Sequence, residues 1–387
     1  MNEIIAVGGS PEQNLGGRLR VILSDLKDEY LQPHDIPWIV GFSGGKDSTL
    51  LAQLVCEMLL ALPPRQRQRR VHIVANDTLV ESPVIAGHLE VVLKRMGEAA
   101  SPLRLPLTIA KTTPPTEQTF WVNLIGRGYP SPSRIFRWCT DRMKIAPTTQ
   151  YIRSQVDASG EAILLLGVRR SESTQRARSV ERYENGQRLN PHNSLQNCFV
   201  YKPIVELTTD EVWQTLLQST PPWGGTHREL VTMYRNAGGG ECPLVTDKSE
   251  APSCGTTSSR FGCWTCTVVE KDKSAESFIE AGYGDLEPLL EFRDWLKAIR
   301  EDGSMRMAAR RNGTLNFVGE GRLIPGPFTL EARREILERL LAVQNDVDIP
   351  LISADEIEVI RKIWAEDAIT MIAVKPAGQV VSTAVAT

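Results

Sequence analysis

Two adjacent glycines, a lysine, an aspartate and several hydroxyls stand together at Ser43, Gly44, Gly45, Lys46, Asp47 and Ser48. Glycines let the backbone approach a ligand without a Cβ in the way, and the first N–H groups of a following helix have no internal partner. With the helix dipole and the Lys46 charge added, this is a loop for phosphate. It is not the Walker loop: after Gly45 and Lys46 comes Asp47, not Ser or Thr, and position 40 is Val rather than Gly.

Sulfur is the second chemistry. Cys242, Cys254, Cys263 and Cys266 lie in one Gly- and Ser-rich stretch, and Cys263-Trp264-Thr265-Cys266 has a metal-ligand spacing. Four thiolates suit zinc or a [4Fe–4S] cluster; zinc ribbons use two Cys-x-x-Cys pairs and only one is present, which favours iron and sulfur. Cys139 stands apart among Arg134, Arg137, Arg142 and Lys144. Neighbouring cations lower a thiol's pKa, so Cys139 is a candidate reactive sulfur, against a further cluster ligand or an inert thiol in a basic channel. Cys56 and Cys198 read as structural. A basic group at Arg169, Arg170, Arg176 and Arg178 reads as an anion site.

These residues need a scaffold that brings them together. Apolar residues at 36–40 run into the glycine loop, and Leu50, Leu51, Leu54, Val55, Met58 and Leu59 recur at helical spacing, predicting a helix over 47–62. Strands are expected at 71–75, 103–109, 162–168 and 199–204, and helices at 17–30, 82–97 and 116–125. Strand and helix alternate, which implies an α/β fold with a doubly wound parallel sheet. In such sheets ligands bind beyond the carboxyl ends of the strands, where Asp77, Thr78 and Arg169 fall. The run 65–70 reads as a solvated basic loop. Past residue 270 the pattern is helical, notably 286–300 and 329–343, and Arg306, Arg310 and Arg311 are expected to face outward on a helix.

The division expected is a nucleotide domain over 1–220, a cysteine-rich segment over 221–284, a helical region over 285–373 and a disordered tail over 374–387. At 387 residues with 41% hydrophobic and 24% charged residues, the chain can bury a large core and lacks a membrane-spanning apolar run. An odd cysteine count and no secretory pattern argue against a disulfide framework and for the cytoplasm. A net charge of −3 means that any nucleic acid would be met by local basic patches.

The loop at 43–48 resembles the PP-loop of the ATP pyrophosphatase superfamily, whose members split ATP between its α and β phosphates and usually adenylate a substrate. Further matches follow in order: Asp77-Thr78 with Glu81, Trp138-Cys139 with Arg142, Lys144 and Pro147, Gly167-Val168-Arg169-Arg170 through Arg176, Lys202-Pro203-Ile204, and Asp210 to Trp213. That order resembles the phosphoadenylylsulfate reductases. Within the superfamily, the run from Arg260 through Cys263 and Cys266 to Ser274 looks most like the DndC proteins of bacterial DNA phosphorothioation. The resemblance covers residues 35–350.

It implies an ATP pyrophosphatase with Mg²⁺ and a [4Fe–4S] cluster that helps replace a non-bridging oxygen of DNA with sulfur. A cysteine desulfurase and the other Dnd proteins would be its partners. By carry-over, Ser43, Gly44, Gly45, Lys46, Asp47 and Ser48 would hold ATP phosphates, and Asp77 would lie near the nucleotide or Mg²⁺. Thr78, Gly167, Arg169 and Arg176 would line the same site, and Cys242, Cys254, Cys263 and Cys266 would ligate the cluster. Lys46, Asp47 and Cys139 are the candidate catalytic residues. Cys139 looks like the second residue of the double cysteine of cluster-bearing sulfonucleotide reductases, but Trp138 stands where the first would be. Three rivals remain: a reductase of adenylylated sulfate, which would need a redox cysteine beyond Cys266; a tRNA thiolase, which would need an RNA-binding module; and a non-catalytic, ATP-sensing DNA-binding protein.

Overall fold

A computed structural model describes residues 14–172, 174–183, 186–237, 262–319 and 321–370. Helix α1 (Leu15–Tyr30) opens on Asn14, whose side chain accepts from the Gly17 N–H at 2.8 Å. Strand β1 (Trp38–Gly41) runs into the glycine loop and α2 (Lys46–Ala61) leaves it; β2 (Val71–Asn76), α3 (Pro83–Ala100) and β3 (Leu107–Thr112) follow. Next come α4 (Ala146–Ser159), β4 (Ala162–Leu165), α5 (Thr174–Tyr183), β5 (Asn190–Pro191) and β6 (Cys198–Tyr201).

The sheet order is β3-β2-β1-β4-β6-β5, parallel throughout except for β5, a short edge strand not foreseen from the sequence. The chain lays β2 and β3 on one side of β1 and then returns to place β4 on the other. The switch point between β1 and β4 is therefore where a ligand crevice opens. Alternate residues of β1 go to opposite faces: Trp38 and Val40 join the core formed with α1, α2 and α3, while Ile39 meets Ile152 of α4 on the other. Both faces are covered, as parallel sheets require, and the expected doubly wound α/β fold is the one observed. Burying each side chain such as Leu50 or Ile73 is worth about 1.5–3 kcal/mol.

Several expectations shift. Strand β3 starts late because Leu103 and Arg104 are used to close α3, with the Leu105 N–H donating to Ala100 O at 2.9 Å and Arg104 at φ 52°. The 116–125 helix is a 3₁₀ turn, Thr116–Gln118, and a π-helical segment, Val122–Gly126. The 65–70 run is not wholly solvated: Arg67 donates to the Leu60, Leu62 and Leu103 carbonyls, and buried Arg69 packs over Tyr30 and Trp38.

Beyond the sheet lie α6 (Thr209–Gln218), α7 (Arg228–Asn236), α8 (Lys273–Glu280), α9 (Glu287–Ile299), a hairpin of β7 (Asn316–Val318) and β8 (Arg322–Ile324), α10 (Leu330–Val347) and α11 (Ala354–Thr370). Among the described residues no helix is long and apolar enough to cross a membrane. The outward helix expected to carry Arg306, Arg310 and Arg311 does not form. Arg306 is buried and donates to the Gly326, Pro325 and Arg300 carbonyls, Arg311 pairs with Asp367, and Arg310 alone of the three has no part in such bonding and is exposed. The periodicity there came from irregular backbone that needed its carbonyls satisfied. The expected tail at 374–387 lies outside the described residues.

Candidate functional site

Beyond the ends of β1, β2 and β4 a cleft of about 620 Å³ opens, floored by residues 43–48 and walled by Asn76, Glu81, Lys144, Gly167, Glu172 and Tyr234 among others. Gly44 takes φ 74°, a conformation that a side chain would oppose. Ser48 Oγ donates to Gly45 O at 3.0 Å and accepts from the Ser43 N–H at 3.2 Å, so the loop is closed on itself. Gly167 lies so near the first turn of α2 that a Cβ would sit 2.8 Å from Asp47 O. Strand β4 and α2 can meet there only with glycine.

The charged residues of the loop are turned inward. Lys46 is buried, with Nζ 3.3 Å from Asp47 Oδ2 and 5.4 Å above the Tyr234 ring. Asp47 accepts from Nε of fully buried Arg169 at 2.6 Å. Arg169 Nη1 also reaches Ser171 Oγ at 2.8 Å and Thr209 Oγ1 at 3.1 Å, and Nη2 has no hydrogen-bond partner among the described residues. Arg170 pairs with Glu206 at 2.6 Å. The expectation of an anion site at these two arginines is thus corrected: both are taken up by carboxylates, Arg170 at the surface and Arg169 in the interior, where it fixes Asp47 from behind. Arg176 lies on α5.

Asp77 and Thr78 are near the cleft but not on its wall. Asp77 pairs with Lys111 at 3.4 Å and accepts from the Leu79 N–H at 2.8 Å. Buried Thr78 donates to Glu81 Oε1 at 2.9 Å and lies 3.3 Å from Cys263 Sγ. Their neighbour Asn76 does line the cleft, its amide donating to Met143 O at 3.1 Å.

The turn at Cys263 and Cys266, closed by the Cys266 N–H on Cys263 O at 3.0 Å, is stitched to the segment after β2. Glu81 and Cys263 form an antiparallel bridge, and the Trp264 N–H donates to Val80 O at 3.0 Å. Trp264 packs between Trp121 and Phe292, with centroids 5.7 and 6.0 Å away. Lys144 ends a π-helical segment, Thr140–Ile145, that starts just after Cys139. Its ammonium is 3.8 Å from Glu81 Oε1 and within electrostatic reach of Cys139, Cys263 and Cys266, and its pKa is raised, chiefly by its electrostatic coupling to Cys263.

Neither Cys139 nor Cys263 is primed by a cation. Burial pushes Cys263 up to about 12, and burial together with the Cys266 charge raises Cys139. The low thiol pKa expected of Cys139 is therefore corrected. Arg134 and Arg137 are exposed, and Arg142 is bound by Gln118 and Tyr129, which leaves Lys144 as the cation beside it. Cys242 and Cys254 lie outside the described residues. The donors that are described, two thiols on one turn with a third near them, match a thiolate-held cluster in type, although among the described residues no group of three or more can hold a metal ion.

Sequence reasoning missed Tyr234, whose hydroxyl accepts from the Lys46 N–H at 3.2 Å, and Thr148, on the cleft wall from α4. Neither carries a sequence signal, because both come from helices remote in the chain.

A parallel sheet with this order, a glycine loop at its switch point and a polar cleft above define a PP-loop nucleotide-binding protein. A family model described as the phosphoadenosine phosphosulfate reductase domain matches residues 37–269, more than half of the chain, and the chain belongs to that family. A curated relative, an uncharacterized protein of Methanocaldococcus jannaschii, is 25% identical over 187 residues, 48% of this chain and 32% of that protein. The chain thus spans about a third of the length of the relative it matches. Among solved structures, phosphoadenylyl-sulfate reductase from Candida auris in a phosphate complex is 12% identical, covering 55% of this chain and 88% of that one at TM-score 0.33. The U34-tRNA thiolase from Methanococcus maripaludis with its [4Fe–4S] cluster is 13% identical, covering 72% and 80% at TM-score 0.32.

Proposed function

We propose that this chain is an ATP pyrophosphatase that adenylates a DNA phosphate so that sulfur can replace one of its non-bridging oxygens. The observation that carries the reading is a shared wall: Glu81 and Lys144 line the phosphate cleft, and of the same two side chains Glu81 meets Cys263 while Lys144 lies within electrostatic reach of Cys263, Cys139 and Cys266. Activation by nucleotide and delivery of sulfur would then occur within one site.

In this scheme the loop amides at 43–48 hold the phosphates, and Asp47, Glu81 and Glu172 offer carboxylates for Mg²⁺. A DNA phosphate oxygen attacks the α-phosphorus, the α–β bond breaks and pyrophosphate leaves. A persulfide on Cys139, loaded by a cysteine desulfurase, then attacks the DNA phosphorus, and AMP departs with the original oxygen. A second thiol attacks the Cys139 sulfur, freeing the phosphorothioate and leaving a disulfide that a cellular dithiol reduces. Cys242, Cys254, Cys263 and Cys266 would hold the [4Fe–4S] cluster, which when bound supplies electron-transfer or sulfur-binding chemistry beside the cleft. The other Dnd proteins would complete the assembly.

Two measurements test this. Chromatography of ATP incubated with Mg²⁺ and protein should give AMP and pyrophosphate; ADP and phosphate would overturn the nucleotide chemistry. Mass spectrometry of DNA digested after anaerobic incubation with a desulfurase, cysteine and the partner proteins should find a phosphorothioate-linked dinucleotide. Thiolated uridine from added tRNA, with unmodified DNA, would assign the sulfur to RNA instead.

A further inference from the structure

Ser133 and Phe136 close a turn on each other. The Ser133 N–H donates to Phe136 O at 3.2 Å, and the Phe136 N–H donates to Ser133 O at 3.3 Å and Oγ at 3.2 Å, leaving Arg134 and Ile135 at the tip. Ile135 is 98% exposed and Phe136 45%, the former more than any other exposed large apolar side chain described. Isolated apolar residues at a surface need no explanation. Here two adjacent ones are held out by a turn whose stem is braced.

The stem is tied to the cysteine turn. Pro132 O accepts from Thr267 Oγ1 at 2.7 Å and from Arg300 Nη1 at 2.8 Å, and Thr267 directly follows Cys266. Ser131 Oγ donates to Leu296 O at 3.0 Å, and Trp138 Nε1 to Pro130 O at 3.0 Å. Phe136 rests against Tyr129, with centroids 6.3 Å apart, and Arg142 lies over the other ring of that pair. Arg134 and Arg137 flank the apolar pair and are exposed. Of the acids around them, Glu270 is bound by Lys297 and also lies within electrostatic reach of Arg134, and Asp141 lies in the next turn.

A rigid apolar tip between two arginines suits a nucleic-acid duplex: the arginines neutralise phosphates, and an Ile or Phe side chain wedges between stacked bases and kinks the helix. We propose that the 133–136 turn is a DNA wedge, with Ile135 entering a base step and Arg134 and Arg137 holding the phosphates on either side. It rests on the DNA reading above. A stiff duplex would present its backbone poorly to a cleft, and a kink would free a phosphate from that straight backbone.

The test uses the full chain and a duplex carrying 2-aminopurine, whose emission rises on unstacking, with total binding followed by anisotropy of an end label. Emission should rise on binding; Ile135→Ala should lose that rise while still binding, and Ile135→Leu should keep it. Removing Arg134 and Arg137 should flatten the slope of log affinity against log salt by about one for each arginine. Binding without a rise in emission, or a rise that Ile135→Ala retains, would overturn the wedge and leave the DNA reading standing. No duplex binding at all would overturn both. Sedimentation with vesicles of phosphatidylglycerol that Ile135→Ala abolishes, in the absence of duplex binding, would assign the tip to lipid.

Discussion

Asp47 is held in two directions, by Lys46 at its side and by Arg169 behind it. Replacing it does two things. Asp47→Ala should abolish ATP cleavage by removing a cleft carboxylate, and should also leave the buried Arg169 charge without its counter-ion. Because Asp47 itself is partly solvated, the second effect is put at about 3 kcal/mol, within the range for a broken buried pair. Thermal unfolding of Asp47→Ala beside Asp47→Ala/Arg169→Met separates the two: stability should return in the double variant and activity should not. Tyr234 poses a different question. Its hydroxyl occupies the Lys46 N–H that a phosphate oxygen would take, and a Cβ on Gly45 would meet that hydroxyl at 3.3 Å. Tyr234→Phe keeps the ring against Trp213 and frees the amide, so calorimetry should show pyrophosphate binding tightened about fivefold, the equivalent of one net hydrogen bond of about 1 kcal/mol. Unchanged affinity would mean that the phosphate does not use this amide.

At the scale of elements, a buried histidine joins Tyr234 in docking α7 onto α2. His227 stands at the start of α7, and its Nε2 lies 2.6 Å from Gln53 Oε1, to which the neutral ring donates. Burial, with a smaller push from His88, lowers its pKa to about 4 from the ordinary 6.5. The unfolded chain therefore takes up a proton before the folded one does. The contribution to stability is complete above pH 6.5, is lost as pH falls from 6.5 to 4, and amounts to about 3 kcal/mol at 1.4 kcal/mol per unit. Urea unfolding at pH 7 and pH 4.5 should show this loss, and His227→Gln, which can still donate to Gln53, should show a smaller one. An equal pH dependence in that variant would place the effect on other groups.

For the whole molecule, α10, α11 and the loop between them hold the π-helical segment Val122–Gly126. Trp364 Nε1 donates to Ile125 O at 2.9 Å, Trp121 Nε1 to Leu351 O at 2.6 Å, and Arg333 to both Gly126 O and Asp367. Asp367 also receives Arg311, so Asp367→Ala strands buried Arg333 and should cost about 3–5 kcal/mol. A lowered melting temperature, with tryptophan emission moving to the red as Trp364 is released, is the expected outcome; an unshifted melting curve would show that the helices dock independently of this pair.

The alternation of apolar strands with amphipathic helices, and the glycine loop at the end of the first strand, determined the sheet and its phosphate loop without reference to anything distant. Backbone conformation at Gly44 and the periodicity of α2 are local properties, and local properties are written in neighbouring residues. What each charge faces is not local. Arg169 reads as an anion-site cation and Arg306 as an outward one, and only the fold sends them inward to Asp47 and to backbone carbonyls. Cys139 looks surrounded by cations, yet tertiary packing turns its three arginines to solvent or to other partners, keeps only Lys144 of the four beside it, and brings in Cys263 and Cys266. Tyr234 reaches the loop from 188 residues away. Electrostatic environment depends on burial and on contacts between distant segments, so only the tertiary structure could decide which cation serves the thiols and which carboxylates meet the nucleotide.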